Sequence, residues 1–171
     1  YKRQIVDISH DIAPQDVREA AYVLYDAYPY FPQGTIHVVV VDPGVGSERR
    51  AIALQTPQAT FVAPDNGVLS YVVARERVEE IVNLTNPRYH LSPVSHTFHG
   101  RDIFAPAAAH LARGVPLVEL GEPLATENQK ESRNRERIAE GHDCLGSFLM
   151  RNDRPDEAEQ AYRRALTIRD G

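Results

Sequence analysis

Three short loops carry the residues whose types and spacing could do chemistry. The first is VDPGVGSERR, residues 41–50, where Asp42 ends an apolar run and Arg49 and Arg50 follow two glycines. Gly44 and Gly46 permit a tight turn and close backbone approach, which lets Arg49 swing back toward Asp42. Alone, the string reads equally well as a structural turn with a solvated arginine. It lacks the G-x-G-x-x-G and G-x-x-x-x-G-K-[ST] spacings of phosphate loops, so nucleotide phosphates are not its obvious target.

The second loop is VAPDNGVL, residues 62–69. Asp65-Asn66-Gly67 is good β-turn chemistry, and a polar pair at a strand end equally suits a ribose or an amino-acid group. The third is HTFHGRDIFAP, residues 96–106, in which Gly100 leaves the His99 imidazole unobstructed. Asp102 is expected to be the N-cap of the helix that follows, a role worth about 1 kcal/mol. No H-x-x-x-H helix or Cys/His cluster is present, so no metal and no cofactor are expected.

The elements that must position these loops read as α/β. Short β-branched runs alternate with amphipathic stretches, the pattern of a largely parallel sheet covered by helices. Strands are predicted at residues 4–8, at 35–41 as a buried strand, at 51–55 and 60–63 as a pair around Pro57, and at 78–84. Helices are predicted at residues 15–28, 68–75 and 102–112, with Gly114 stopping the last. In such sheets ligands gather beyond the carboxyl ends of strands, where all three loops fall.

Composition divides the 171 residues near position 124. Residues 1–124 hold 24 charged residues and 11 prolines, whereas residues 125–171 hold 19 charged residues and only Pro155. Two units are therefore expected, 1–124 and a helical tail, 125–171, whose polar first stretch runs from 127 to 140. Within the tail, Leu145, Gly146, Leu149, Ala158, Tyr162 and Ala165 fall at the offsets of one tetratricopeptide-like repeat over about 139–171; a generic helical hairpin is the other reading. A lone helix pair cannot bury its own apolar face, so the tail must pack against something, whether the first unit or a protein partner.

A net charge of -5 leaves no basic field for a phosphate backbone or an anionic membrane surface. No apolar run approaches the roughly 20 residues of a membrane helix. Neither nucleic acid nor a membrane is expected as a partner. The single Cys144 forms no intrachain disulfide, and a reducing cytoplasm is the expected compartment.

Taken together, VDISHDI, FPQGTIHVVVVDPGVGSERRAIAL, FVAPDNGVL and TFHGRDIFAPAAAHLARG resemble, in this order and spacing, the amino-terminal domain of the S-adenosyl-L-methionine (SAM) hydrolases. These adenosine-forming enzymes, also called SAM hydroxide adenosyltransferases, are relatives of fluorinase and chlorinase. The resemblance implies hydrolysis of SAM to adenosine and L-methionine by water attack at ribose C5′, with Asp42, Arg49 and His99 around the water. It also implies that Asp65 and Asn66 line the nucleoside pocket. The halogenase branch has Tyr at the positions of Asp42 and His99, so hydrolysis is the better match.

The family chain begins with a further strand, a TDFG-type ribose loop and a YVGxMKG helix, and ends in an IDxFGN-like segment and a β-rich domain packed across a trimer interface. This sequence opens at Tyr1 and turns to the helical tail after residue 124. The resemblance therefore implies a truncated domain with a sheet incomplete at its amino-terminal strand, and a homo-oligomer, a trimer in the family. A non-catalytic adenosyl-binding module with an interaction tail is the alternative function.

Overall fold

The computed structural model describes residues 4–124 and 131–170. Among these residues five strands form one sheet: β1 (Thr35–Val38), β2 (Ala51–Gln55), β3 (Ala59–Pro64), β4 (Glu80–Asn83) and β5 (Glu122–Leu124). Their order is β1-β3-β2-β4-β5. Only β1 and β3 run parallel; β2 is antiparallel to both β3 and β4, and β4 to β5. The largely parallel sheet expected from the sequence is corrected to a mixed, mostly antiparallel one. Connection length explains it. A parallel return needs a crossover of about a dozen residues or more, whereas only residues 56–58 join β2 to β3.

Helices cover both faces, and the period of two along β2 sorts the core. Ile52 and Leu54 point to one face with Ala20, Ala21 and Leu24 of helix α1 (Val17–Ala27) and Tyr71 and Val72 of α2 (Ser70–Arg75). Ala51 and Ala53 point to the other, with Ala107 and Ala108 of α3 (Ala105–Ala112), Phe104, Leu117 and Leu120. Helix α1 starts where Asp16 accepts a hydrogen bond from the Glu19 amide at 2.8 Å.

Two strand expectations change. Residues 4–8 form no strand, and Ile5 is 93% exposed, because β-branched residues without a ladder partner do not hold one. The apolar run at 35–41 is buried only in part: Ile36 packs on the second core, and from residue 38 onward the run is one-sided. Val39 and Val41 pack on the core while Val38 and Val40 face outward.

Beyond residue 130, helices α4 (Glu131–Arg151) and α5 (Pro155–Asp170) form a hairpin; the start of the predicted polar helical stretch, 127–130, lies outside the described residues. Gly146 permits the close approach, since a Cβ there would lie 2.6 Å from the Tyr162 ring. Leu145, Leu149, Ala158 and Ala161 join the α1–α2 core. Phe148 stacks on Tyr22 with ring centroids 4.0 Å apart, and Arg154 reaches the Tyr22 hydroxyl at 3.2 Å. The packing surface that the tail required is thus the outer face of α1 and α2. No described helix is long and apolar enough to cross a membrane.

Candidate active site

Strand direction assembles the site. Asp42 follows β1, and Asp65 and Asn66 follow β3, which runs parallel to β1, so these residues emerge at the same edge of the sheet. Arg49 precedes β2, which runs the opposite way, and so its entry also lies at that edge. A parallel β2 of five residues would have put Arg49 roughly 15 Å away, at the far edge.

Arg49 is the centre of the arrangement. Its Nε donates to both carboxylate oxygens of Asp42, at 3.0 and 2.9 Å, and its Nη2 donates to Asp42 Oδ2 as well. The same Nη2 lies 2.7 Å from His99 Nδ1. Its two N–H bonds suffice for both partners. The side chains of Arg49 and Asp42 are only 9% and 5% exposed, and the guanidinium carbon sits 5.3 Å from the centroid of the Phe104 ring. A fork-shaped cation held against an aromatic face and a carboxylate has little freedom to turn.

Arginine has no acceptor, so His99 must accept at Nδ1. The ring is then neutral and carries its proton on Nε2. Burial pushes the His99 pKa below its ordinary value, and the positive charge of Arg49 pushes it the same way; Asp42 and Asp102 oppose. The hydrogen bond and the electrostatics agree on a neutral imidazole at pH 7.

The supporting loop is built closely. Gly46 has φ +78°, and a Cβ there would come within 2.6 Å of the His96 carbonyl oxygen. The loop bearing Asp42 and Arg49 therefore rests on the segment bearing His99. Ser47 Oγ donates to the Gly44 carbonyl at 2.7 Å and tightens the same turn.

Asp65 and Asn66 stand beside this trio with other partners. Asp65 accepts from Arg50 Nε and Nη2 at 2.9 and 2.6 Å. Asn66 Nδ2 donates to the Val41 carbonyl at 2.9 Å, and its Oδ1 accepts from the Val68 amide. Asn66 thereby ties the turn after β3 to the residue preceding Asp42.

Asp102 is not the N-cap expected of it. The chain enters α3 through a wide π-type turn, Gly100–Phe104, and Asp102 lies inside that turn, 1% exposed. Its carboxylate accepts from the Ser95 amide at 2.9 Å and from Arg101 Nε at 2.6 Å. Phe104 also stands at the site, outside the residues expected there. Its signal was present: an aromatic on the same turn as His99, followed by small residues that let it be buried.

The fold and site define an α/β domain whose mixed sheet presents an aspartate, an arginine and a histidine, hydrogen-bonded in series, at one edge. A family model described as the SAM hydroxide adenosyltransferase N-terminal domain matches residues 1–121, and the chain belongs to that family. It is 49% identical over 119 residues to an (R)-S-adenosyl-L-methionine hydrolase of Salinispora arenicola, covering 69% of this chain and 45% of the relative. An enzyme of the same name from Thermus thermophilus is 45% identical over 130 residues, covering 72% of this chain and 51% of the relative. A fluorinase of Nocardia brasiliensis is more distant, 29% identical over 176 residues, with coverage of 88% and 58%. Among solved structures, a conserved protein from Thermotoga maritima superposes with TM-score 0.70 at 48% identity, covering 72% of this chain and 48% of that one. The chain spans about half the length of the hydrolases it matches.

Proposed function

We propose that the site hydrolyses SAM: water attacks ribose C5′, the C5′–sulfur bond breaks, and adenosine, L-methionine and one proton leave. The sulfonium departs as a neutral thioether, so the leaving group needs no acid. What the reaction requires is a water held in line with the C–S bond and shielded from bulk solvent. The observation that carries this reading is Arg49, bonded at once to Asp42 and His99. Arg49 holds Asp42 in place through its hydrogen bonds, and Asp42 takes the proton as the water attacks. His99, with Nδ1 occupied by Arg49, offers its Nε2–H to orient the water oxygen.

The family match and the hydrolase names of the relatives at 40–50% identity support the substrate class. Asp65 and Asn66 are proposed to border the nucleoside, with Asn66 acting through backbone that it anchors. The tail, 125–171, is proposed as a unit separate from 1–124 that carries one tetratricopeptide-like repeat over about 139–171. The support is that Leu145, Leu149, Ala158 and Ala165 are buried and that Gly146 meets Tyr162 at the expected positions.

Incubation with SAM, followed by chromatography of adenosine and methionine, tests the proposal. Equimolar release of both supports it. Calorimetric binding of adenosine without release would select the alternative, a binding module.

A further inference from the structure

We propose that Asp102 is a positioning residue, fastening the loop from Leu91 to Asp102 so that His99 meets Arg49. Its effect on turnover rests on the hydrolase reading; its effect on His99 does not. Residues 91–98 contain no helix or strand, so nothing in their own backbone fixes where His99 stands. Three hydrogen bonds to Asp102 do so instead. The Leu91 amide donates to the Asp102 carbonyl at 2.8 Å, the Asp102 amide donates to the Phe98 carbonyl at 2.9 Å, and the Ser95 amide donates to the carboxylate at 2.9 Å. One residue thus holds the start, middle and end of the segment.

The carboxylate is suited to this. A buried charge is costly unless it is paired, and Arg101 covers Asp102 from the solvent side with Nε and Nη2 at 2.6 and 3.0 Å. The Arg101 hydrogen bonds, and then that of the Ser95 amide, bring the Asp102 pKa down to about 2, so the acceptor stays ionised across the working range of pH. A capping aspartate would accept from the first turn of its own helix. This one reaches back seven residues, across the loop that carries His96 and precedes His99. The His96 carbonyl in turn abuts Gly46, so the same fastening braces the turn between Asp42 and Arg49.

The charged and titratable groups that act on His99 are Arg49, Asp42, Asp102 and His96, and His90 lies close enough to feel it. They give the proposal a readout separate from stability. In ¹⁵N-labelled protein, the ring nitrogens of His99, assigned with an H99Q control, report tautomer and titration midpoint. D102N keeps an acceptor for the Ser95 amide but loses the charge; the Nδ1-acceptor tautomer is expected to persist while the midpoint moves down. D102A removes both, and the ring is expected to drift toward the tautomer mixture of free imidazole. His99 signals and midpoint matching the parent in both folded variants would overturn the proposal. If D102A does not fold, D102N decides alone through the loop: hydrogen exchange at the Ser95 amide, now facing a neutral acceptor, is expected to quicken, and an unchanged rate overturns it. A shifted His99 in protein that releases no adenosine would overturn the hydrolase reading and leave the positioning role standing.

Discussion

Nη2 of Arg49 lies 2.7 Å from Nδ1 of His99 while its guanidinium grips the Asp42 carboxylate. This contact exists only while His99 is neutral, because a protonated ring would turn an N–H toward a permanent cation. Activity is therefore expected to fall as pH drops through a midpoint below the ordinary histidine value, since burial and Arg49 both lower the His99 pKa. A kcat/KM profile from pH 4.5 to 8 would show it. A profile flat down to pH 4.5 would remove His99 neutrality from the mechanism.

Arg49 should not be replaceable by lysine. An ammonium is a point charge and cannot present parallel N–H bonds to Asp42 while reaching His99. R49K is expected to lose about 100-fold in turnover with the fold retained. R49A leaves the Asp42 carboxylate, 5% exposed, without its counter-charge, and about 3 kcal/mol of stability should go with it in urea unfolding.

At Gly46, any side chain meets two obstacles. Its φ of +78° disfavours a Cβ, and that Cβ would press on the His96 carbonyl oxygen. G46A is expected to cost about 1–2 kcal/mol and to lower activity further than that loss of stability explains, because the segments bearing Arg49 and His99 meet there. Parallel denaturation and turnover measurements on the variant separate the two effects.

His37 makes the fold sensitive to acid. It is 4% exposed, stacked on Phe61 with centroids 5.3 Å apart, and its Nε2 has no hydrogen-bond partner among the described residues. Burial lowers its pKa from 6.5 to about 4. Between those values the unfolded chain binds the proton and the folded chain does not. Stability contributed by the neutral ring is complete above pH 6.5 and declines as pH falls toward 4, by about 3 kcal/mol. Urea midpoints at pH 7 and pH 4.5 should show this loss, and H37F should reduce it.

Much of the candidate site was legible in the sequence because its parts lie in short loops of distinctive composition. Asp42 and Arg49 are seven residues apart across a glycine turn, and such a turn can close on itself. The glycine after it marks His99 in the sequence. Strand direction was less legible, since hydrophobic runs report burial and not orientation. Yet the three-residue link between β2 and β3 held the answer, and that antiparallel step is what carries Arg49 to Asp42. The role of Asp102 is hidden for a related reason. An acid before an apolar helix looks like a cap, and nothing local shows that its partner is the amide of Ser95, on the far side of a loop. Residues 4–8 have strand composition, but composition supplies no neighbouring strand.

The origin of the new oxygen tests the central claim most directly. When SAM is turned over in H₂¹⁸O and the products are read by mass spectrometry, water attack at C5′ places one ¹⁸O in the 5′-hydroxyl of adenosine and none in methionine. Adenosine without the label, or no adenosine at all, would contradict hydrolysis at the Asp42–Arg49–His99 site.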